Sequence, residues 1–176
     1  MTENSSINSK KTSIPDFEYL NFNAEKESWN RYKLEDGSIL KSKLVMINII
    51  AKKGTEEKIK KAKTEKVNVN LELSLQPSNV IGVEASPESI GEPSTVICSP
   101  DALKESVVAA DMDFETISEV WNQYLVGFPK IDDVVCLKIR NSLTRISRTS
   151  KFDKFGIPIY LVDFTTEMKV SINPRK

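Results

Sequence analysis

The chain has 176 residues, no histidine, and 25 basic against 25 acidic side chains, so its formal net charge is zero. Without imidazole it lacks the commonest general base near neutral pH, the usual partner of a nucleophilic serine or cysteine, and the commonest zinc ligand. Its 39% hydrophobic and 28% charged content are ordinary for a water-soluble globular protein, and no apolar run approaches the ~18 residues that a membrane-spanning helix needs.

The opening stretch, MTENSSINSKKTSIPD, is polar and has no apolar middle. It reads as a disordered arm over residues 1–14 rather than a secretory signal, so a cytoplasmic location is expected. The rest, 15–176, reads as a single β-rich domain.

Residues 29 to 50 fit a hairpin. Asp36-Gly37 is a strong turn pair, because glycine takes the positive φ of a tight turn at no steric cost. Beyond it Leu40, Leu44, Met46 and Ile50 fall on one strand face, with Ile39, Lys41, Lys43, Val45, Ile47 and Ile49 on the other. Trp29 and Tyr32 are expected to close one end of a core. Residues 52–66 form a charged connector or short exposed helix with Ile59 as its only large apolar residue. Residues 67–75, VNVNLELSL, alternate without a fault and predict a strand, which Gln76-Pro77-Ser78 should break before a second strand at 79–85.

Residues 86–100 are rich in proline and serine and read as a loop. Ser99-Pro100 makes a good helix start, with serine as cap and proline in the first turn. The main helix is expected at 113–125, where Phe114, Ile117, Val120, Trp121, Tyr124 and Leu125 share one helical face above an acidic first turn. The final third is strand-like again: 134–146, a turn through SKFDKFG, then two further runs, with Pro158 suited to a strand edge. The fold class is therefore α+β and β-rich: six to eight strands in a mostly antiparallel sheet or partly closed barrel, with the helix near 113–125 covering one side. WN-x-Y occurs twice, at 29–32 and 121–124, and DFE precedes both, but at different spacings. The recurrence reads as coincidence.

Few residues combine into chemistry. Asp111, Asp113 and Glu115 resemble the start of a calcium loop, but the required glycine and closing glutamate are Thr116 and Asn122 instead. Ser38 and Lys41 have the spacing of a serine–lysine pair, yet on a strand they point to opposite faces. None of the six glycines lies in a phosphate-cradling loop. Asp132-Asp133 reads as a solvated pair. Cys98 and Cys136, flanked by β-branched residues, read as buried free thiols. No cofactor, metal or catalytic residue is expected.

Charge is segregated. Residues 51–66 carry seven lysines against three glutamates, 77–120 nine acids against one lysine, and 127–154 seven basic residues against three acids. Such blocks either pair inside the fold, the commoner outcome, or present separate faces. The candidate surface for an anionic partner is Lys138, Arg140, Arg145, Arg148, Lys151 and Lys154, with Phe152 and Phe155 among them. The function expected first is non-catalytic binding, scaffolding or assembly through protein contacts or self-association. Nucleic-acid binding through the basic strand and turn is the alternative, and a carboxylate-based enzyme the third.

Overall fold

The structure is a computed structural model that describes residues 16–65 and 71–174. The N-terminal arm and residues 67–70 of the alternating strand lie outside the described residues. Every strand pairing is antiparallel, in two open sheets that face each other across the core. The β-rich α+β class stands; the sheets do not close into a barrel.

In the first sheet the long central strand β4 (Ile39–Lys52) pairs along its length with β5 (Leu73–Glu84). Its other side is shared by β3 (Asn30–Leu34) and β1 (Phe17–Tyr19), and β7 (Phe114–Ser118) adds beyond β3. In the second sheet the long central strand β9 (Asp133–Phe152) pairs with β10 (Pro158–Pro174). Its other side is shared by β8 (Asn122–Gly127) and β6 (Val107–Ala109), and β2 (Asn21–Lys26) adds beyond β8. The plans match. Each sheet takes its last strand from the other half of the chain.

The hairpin predicted at 29–50 is present: Gly37 turns at φ 81°, and Tyr32, Leu34, Leu40 and Leu44 are buried. Its face assignment changes midway. Register slips between Met46 and Asn48, so the inward set runs Leu40, Ser42, Leu44, Met46 and then Ile49, Ala51. A bulge inserts one residue and flips everything after it to the other face. This bulge also carries Pro77, which sits in β5 without ending the strand; β5 is an edge, where a missing N–H is tolerated.

The expected helix at 113–125 does not exist. That segment forms β7 and β8. Asn122, Tyr124, Val126 and Phe128 are buried and their neighbours half-buried, a period of two hidden by a polar member. The helices are elsewhere. α1 (Thr55–Glu65), from the charged connector, inserts Ile59 fully into the core. α2 (Pro100–Glu105) starts as expected, with Ser99 Oγ accepting from the Ala102 N–H at 3.2 Å, and stops before β6. No helix among the described residues is long and apolar enough to cross a membrane.

The loop 86–100 is strapped to the β9–β10 turn. The Gly91 N–H donates to the Gly156 carbonyl and the Ser94 N–H to that of Asp153, both at 2.9 Å. Gly156, at φ 79°, sits so close that an added Cβ would lie 2.5 Å from the Gly91 carbonyl. Cys136 is buried as expected, whereas Cys98 is half-buried on this strap; both are free thiols.

Candidate functional site

Lys138 and Arg140 project together from the outer face of the second sheet, opposite the fully buried Leu137 and Ile139. The six basic candidates nevertheless do not form one patch. The Arg140 Nη2 reaches both Glu167 oxygens at 2.8 and 2.9 Å. Arg145 holds Asp163 at 2.6 Å and approaches Asp111 at 3.9 Å. Arg148 turns to the inner rim, 3.6 Å from Asp36. Lys138, Lys151 and Lys154 have no ion pair among the described residues; Lys154 lies over the ring of Phe155, which is exposed, while Phe152 packs toward Gly91. The charged blocks do not pair as blocks: Lys63 meets Asp133 and Lys52 meets Glu72, while Glu84 of the acidic block meets Lys41.

Trp121 faces two basic groups at once. Arg140 and Lys169 lie 4.9 and 4.5 Å from its ring centroid, within cation–π range. Lys138 is directly opposite Lys169 on the neighbouring strand, and Gln123 flanks it on the other side.

The outer face of the first sheet is different. Cross-strand register puts Tyr19 beside Ile50, Phe17 beside Lys52 and Val80 beside Lys43. With Trp29, Val45 and Ile47 this makes an apolar strip along β4. Phe17, Tyr19, Trp29, Ile47 and Val80 are 44–73% exposed. Its cations are partly neutralised, Lys41 by Glu84 and Lys43 by Glu27, whereas Arg31 and Lys33 have no ion pair among the described residues.

Two buried polar devices tie the sheets together. At the Asp36-Gly37 turn, Tyr160 donates to Asp36 at 2.6 Å and the Ser38 amide donates to the same carboxylate at 3.0 Å. Burial pushes the Asp36 carboxyl up, but these hydrogen bonds and the Arg148 charge outweigh it, leaving it below the ordinary range. Burial, and then the bond to Asp36, push Tyr160 up to about 12. Tyr160 also lines a surface cleft of about 490 Å³ with Lys104, Asp111, Arg145, Ser147 and Asp163.

The second device is the WN-x-Y recurrence, and it is not coincidence. The two copies align without a gap when Phe22 is set against Phe114, giving Glu27, Trp29, Asn30, Tyr32 and Glu119, Trp121, Asn122, Tyr124. DFE at 16–18 was the wrong anchor. Each asparagine reaches the other copy and the other sheet. Asn30 Nδ2 donates to the Asn141 carbonyl at 2.7 Å, and its Oδ1 accepts the Val120 N–H at 3.0 Å. Asn122 Nδ2 donates to the Leu44 carbonyl at 2.9 Å, and its Oδ1 accepts the Ser28 N–H at 3.1 Å. Tyr32 donates to Glu119 and Tyr124 to Glu27, and each ring meets a phenylalanine edge-on, Phe114 and Phe22 respectively. Burial first, then the neighbouring glutamate, raises both tyrosine pKa values, that of Tyr32 to about 12. These groups are fully used in holding the sheets. They tie the two sheets to each other.

Comparison with protein families, with curated proteins and with solved structures finds no match for this chain.

Proposed function

We propose that this chain is a non-catalytic binding or assembly protein that works through protein contacts. The observation that supports it best is the exposed apolar strip of Phe17, Tyr19, Trp29, Ile47 and Val80 on the first sheet. Apolar side chains gathered on one open sheet face mark a contact surface more often than a solvated one. The strip is bordered by Arg31 and Lys33, so the partner surface that fits is a folded protein, apolar at its centre and acidic at its rim. The test is co-purification from the native cell at low ionic strength, followed by binding of the identified partner to purified wild type and to Ile47→Asp and Tyr19→Ala variants. Loss of at least about tenfold in affinity with an unchanged circular dichroism spectrum supports the reading; undiminished binding removes this face from it.

A second reading, nucleic-acid binding, has one observation in its favour: Trp121 lies between Arg140 and Lys169 with Lys138 alongside. Bases stack on such rings while cations hold the backbone. Retention of single-stranded DNA or RNA at low salt, lost in a Trp121→Ala variant, would support it. No retention at low salt discards it.

A further inference from the structure

Six strands among the described residues pair on one side only: β5, β7 and three-residue β1 in the first sheet, β2, β10 and three-residue β6 in the second. Edges invite pairing with another chain, and proteins guard them with proline, bulges or brevity. β5 carries Pro77 beside a bulge. β7 has five residues, and β2 has six with a bulge before Lys26. β10 is 17 residues long and pairs with β9 in unbroken register from Phe164 to Pro174. Its residues 165–171 are all exposed.

Glu167 is held by Arg140 and Lys169 lies over Trp121, yet the edge itself is only partly covered. Met168 and Val170 lie beside Ile139 and Leu137, which are buried in the core, so the core row runs out to the edge. There Met168 is still 49% and Val170 37% exposed. On the opposite face Lys169 sits directly across from Lys138, a like-charge pair that disfavours the sheet.

We infer that β10 pairs antiparallel with β10 of a second copy of this chain about a two-fold axis at Met168, joining two second sheets into one. In that register Glu167 falls opposite the second copy's Lys169 and Lys169 opposite its Glu167, because residues equidistant from the axis face each other. Each Lys138–Lys169 row then gains a carboxylate that Arg140 also holds, and the apolar row continues through Met168 of both chains, with each Val170 opposite the second copy's Thr166. The self-complementary order Glu-Met-Lys specifies a second copy rather than an unrelated strand. This edge is separate from the apolar strip of the first sheet, and the inference does not depend on that strip's having a partner.

Sedimentation equilibrium of the full-length protein over micromolar to near-millimolar concentration tests it. The wild type is expected to show a monomer–dimer equilibrium. Lys169→Glu sets like charges opposite each other twice across the axis and is expected to weaken association about tenfold or more. The double variant Glu167→Lys with Lys169→Glu recreates both opposite-charge pairs and is expected to restore it. A monomer throughout the range overturns the inference, as does a dimer indifferent to Lys169→Glu or a double variant that fails to recover. Amide exchange on the wild type gives a reading free of folding effects. Residues 165–171 should become protected as concentration rises while β5 does not change; equal behaviour of both edges also overturns it.

Discussion

Asn30 and Asn122 show what a single buried amide does here. Each is nearly inaccessible, 4% and 3% exposed, and each satisfies one amide N–H and one carbonyl on segments far away in sequence. Replacing either by alanine strands the backbone N–H and leaves the carbonyl only a long tyrosine hydroxyl contact, Tyr32 to Asn141 or Tyr124 to Leu44, and an unpaired buried polar group costs about 1–3 kcal/mol. Asn30→Ala and Asn122→Ala should therefore each destabilise by roughly 2–4 kcal/mol, and by similar amounts because their roles match. Urea unfolding midpoints check this; a loss below about 1 kcal/mol in either would remove it from the clamp. The titratable groups give a second residue-scale expectation. Asp36 is held below the ordinary carboxylate range, so its contribution is present above that range and fades as pH falls through its folded value. Tyr32 and Tyr160, raised to about 12, contribute below their ordinary pKa of ~10, and that contribution fades as pH climbs through 12. The melting temperature should fall on both flanks. In an Asp36→Asn variant the acid flank should flatten, and an unchanged acid flank would assign that loss to other carboxylates.

At the scale of elements, the two strands of the Asp36-Gly37 hairpin were legible because a turn pair and alternating apolar residues agree. So were Ser99 as a cap and the outward pair Lys138 and Arg140. The segment 113–125 was misread for a definable reason. Its buried alternate positions include Asn122, and a polar residue there erases the period-two signal. Phe114, Ile117, Val120, Trp121 and Tyr124 happen to fit helical spacing as well. The β-branched and aromatic content of that stretch was the neglected clue. The bulge in β4 was equally hidden, since alternation on either side of it looks faultless. It yields a prediction. Deleting Asn48 removes the extra residue, so alternation becomes uninterrupted and Ile49 and Ala51, both fully buried, keep facing inward. The bulge and the exposed Asn48–Gln76 hydrogen bond are lost but the core facing is kept, so the deletion should cost less than the about 1.5–3 kcal/mol of exposing one isoleucine. A deletion variant destabilised by more than about 3 kcal/mol in urea unfolding would show that β4 needs the bulge itself and not only the facing of these side chains.

For the whole molecule, the matched plans of the two sheets and the gapless match of the Glu-x-Trp-Asn-x-Tyr segments describe one unit used twice, with edge strands exchanged between the halves. The exchange was illegible in the sequence because β-pairing partners are set by tertiary contacts, and the motif's anchor, Phe22, lies in a strand whose own charges mask it. It has a thermodynamic consequence. The first sheet lacks its last strand without residues 114–118, and the second lacks its own without residues 21–26. Both asparagine clamps also cross from one half to the other. Neither sheet then has a complete set of partners when the other is unfolded, so the halves should not melt separately despite their symmetry. Scanning calorimetry is expected to show one transition whose van't Hoff and calorimetric enthalpies agree, and Asn30→Ala should lower that single transition without splitting it. Two resolved transitions would show that each half holds its own core and that the exchanged strands are accessories. A single transition carried down intact by a clamp variant would place the cooperativity in the contacts between the sheets.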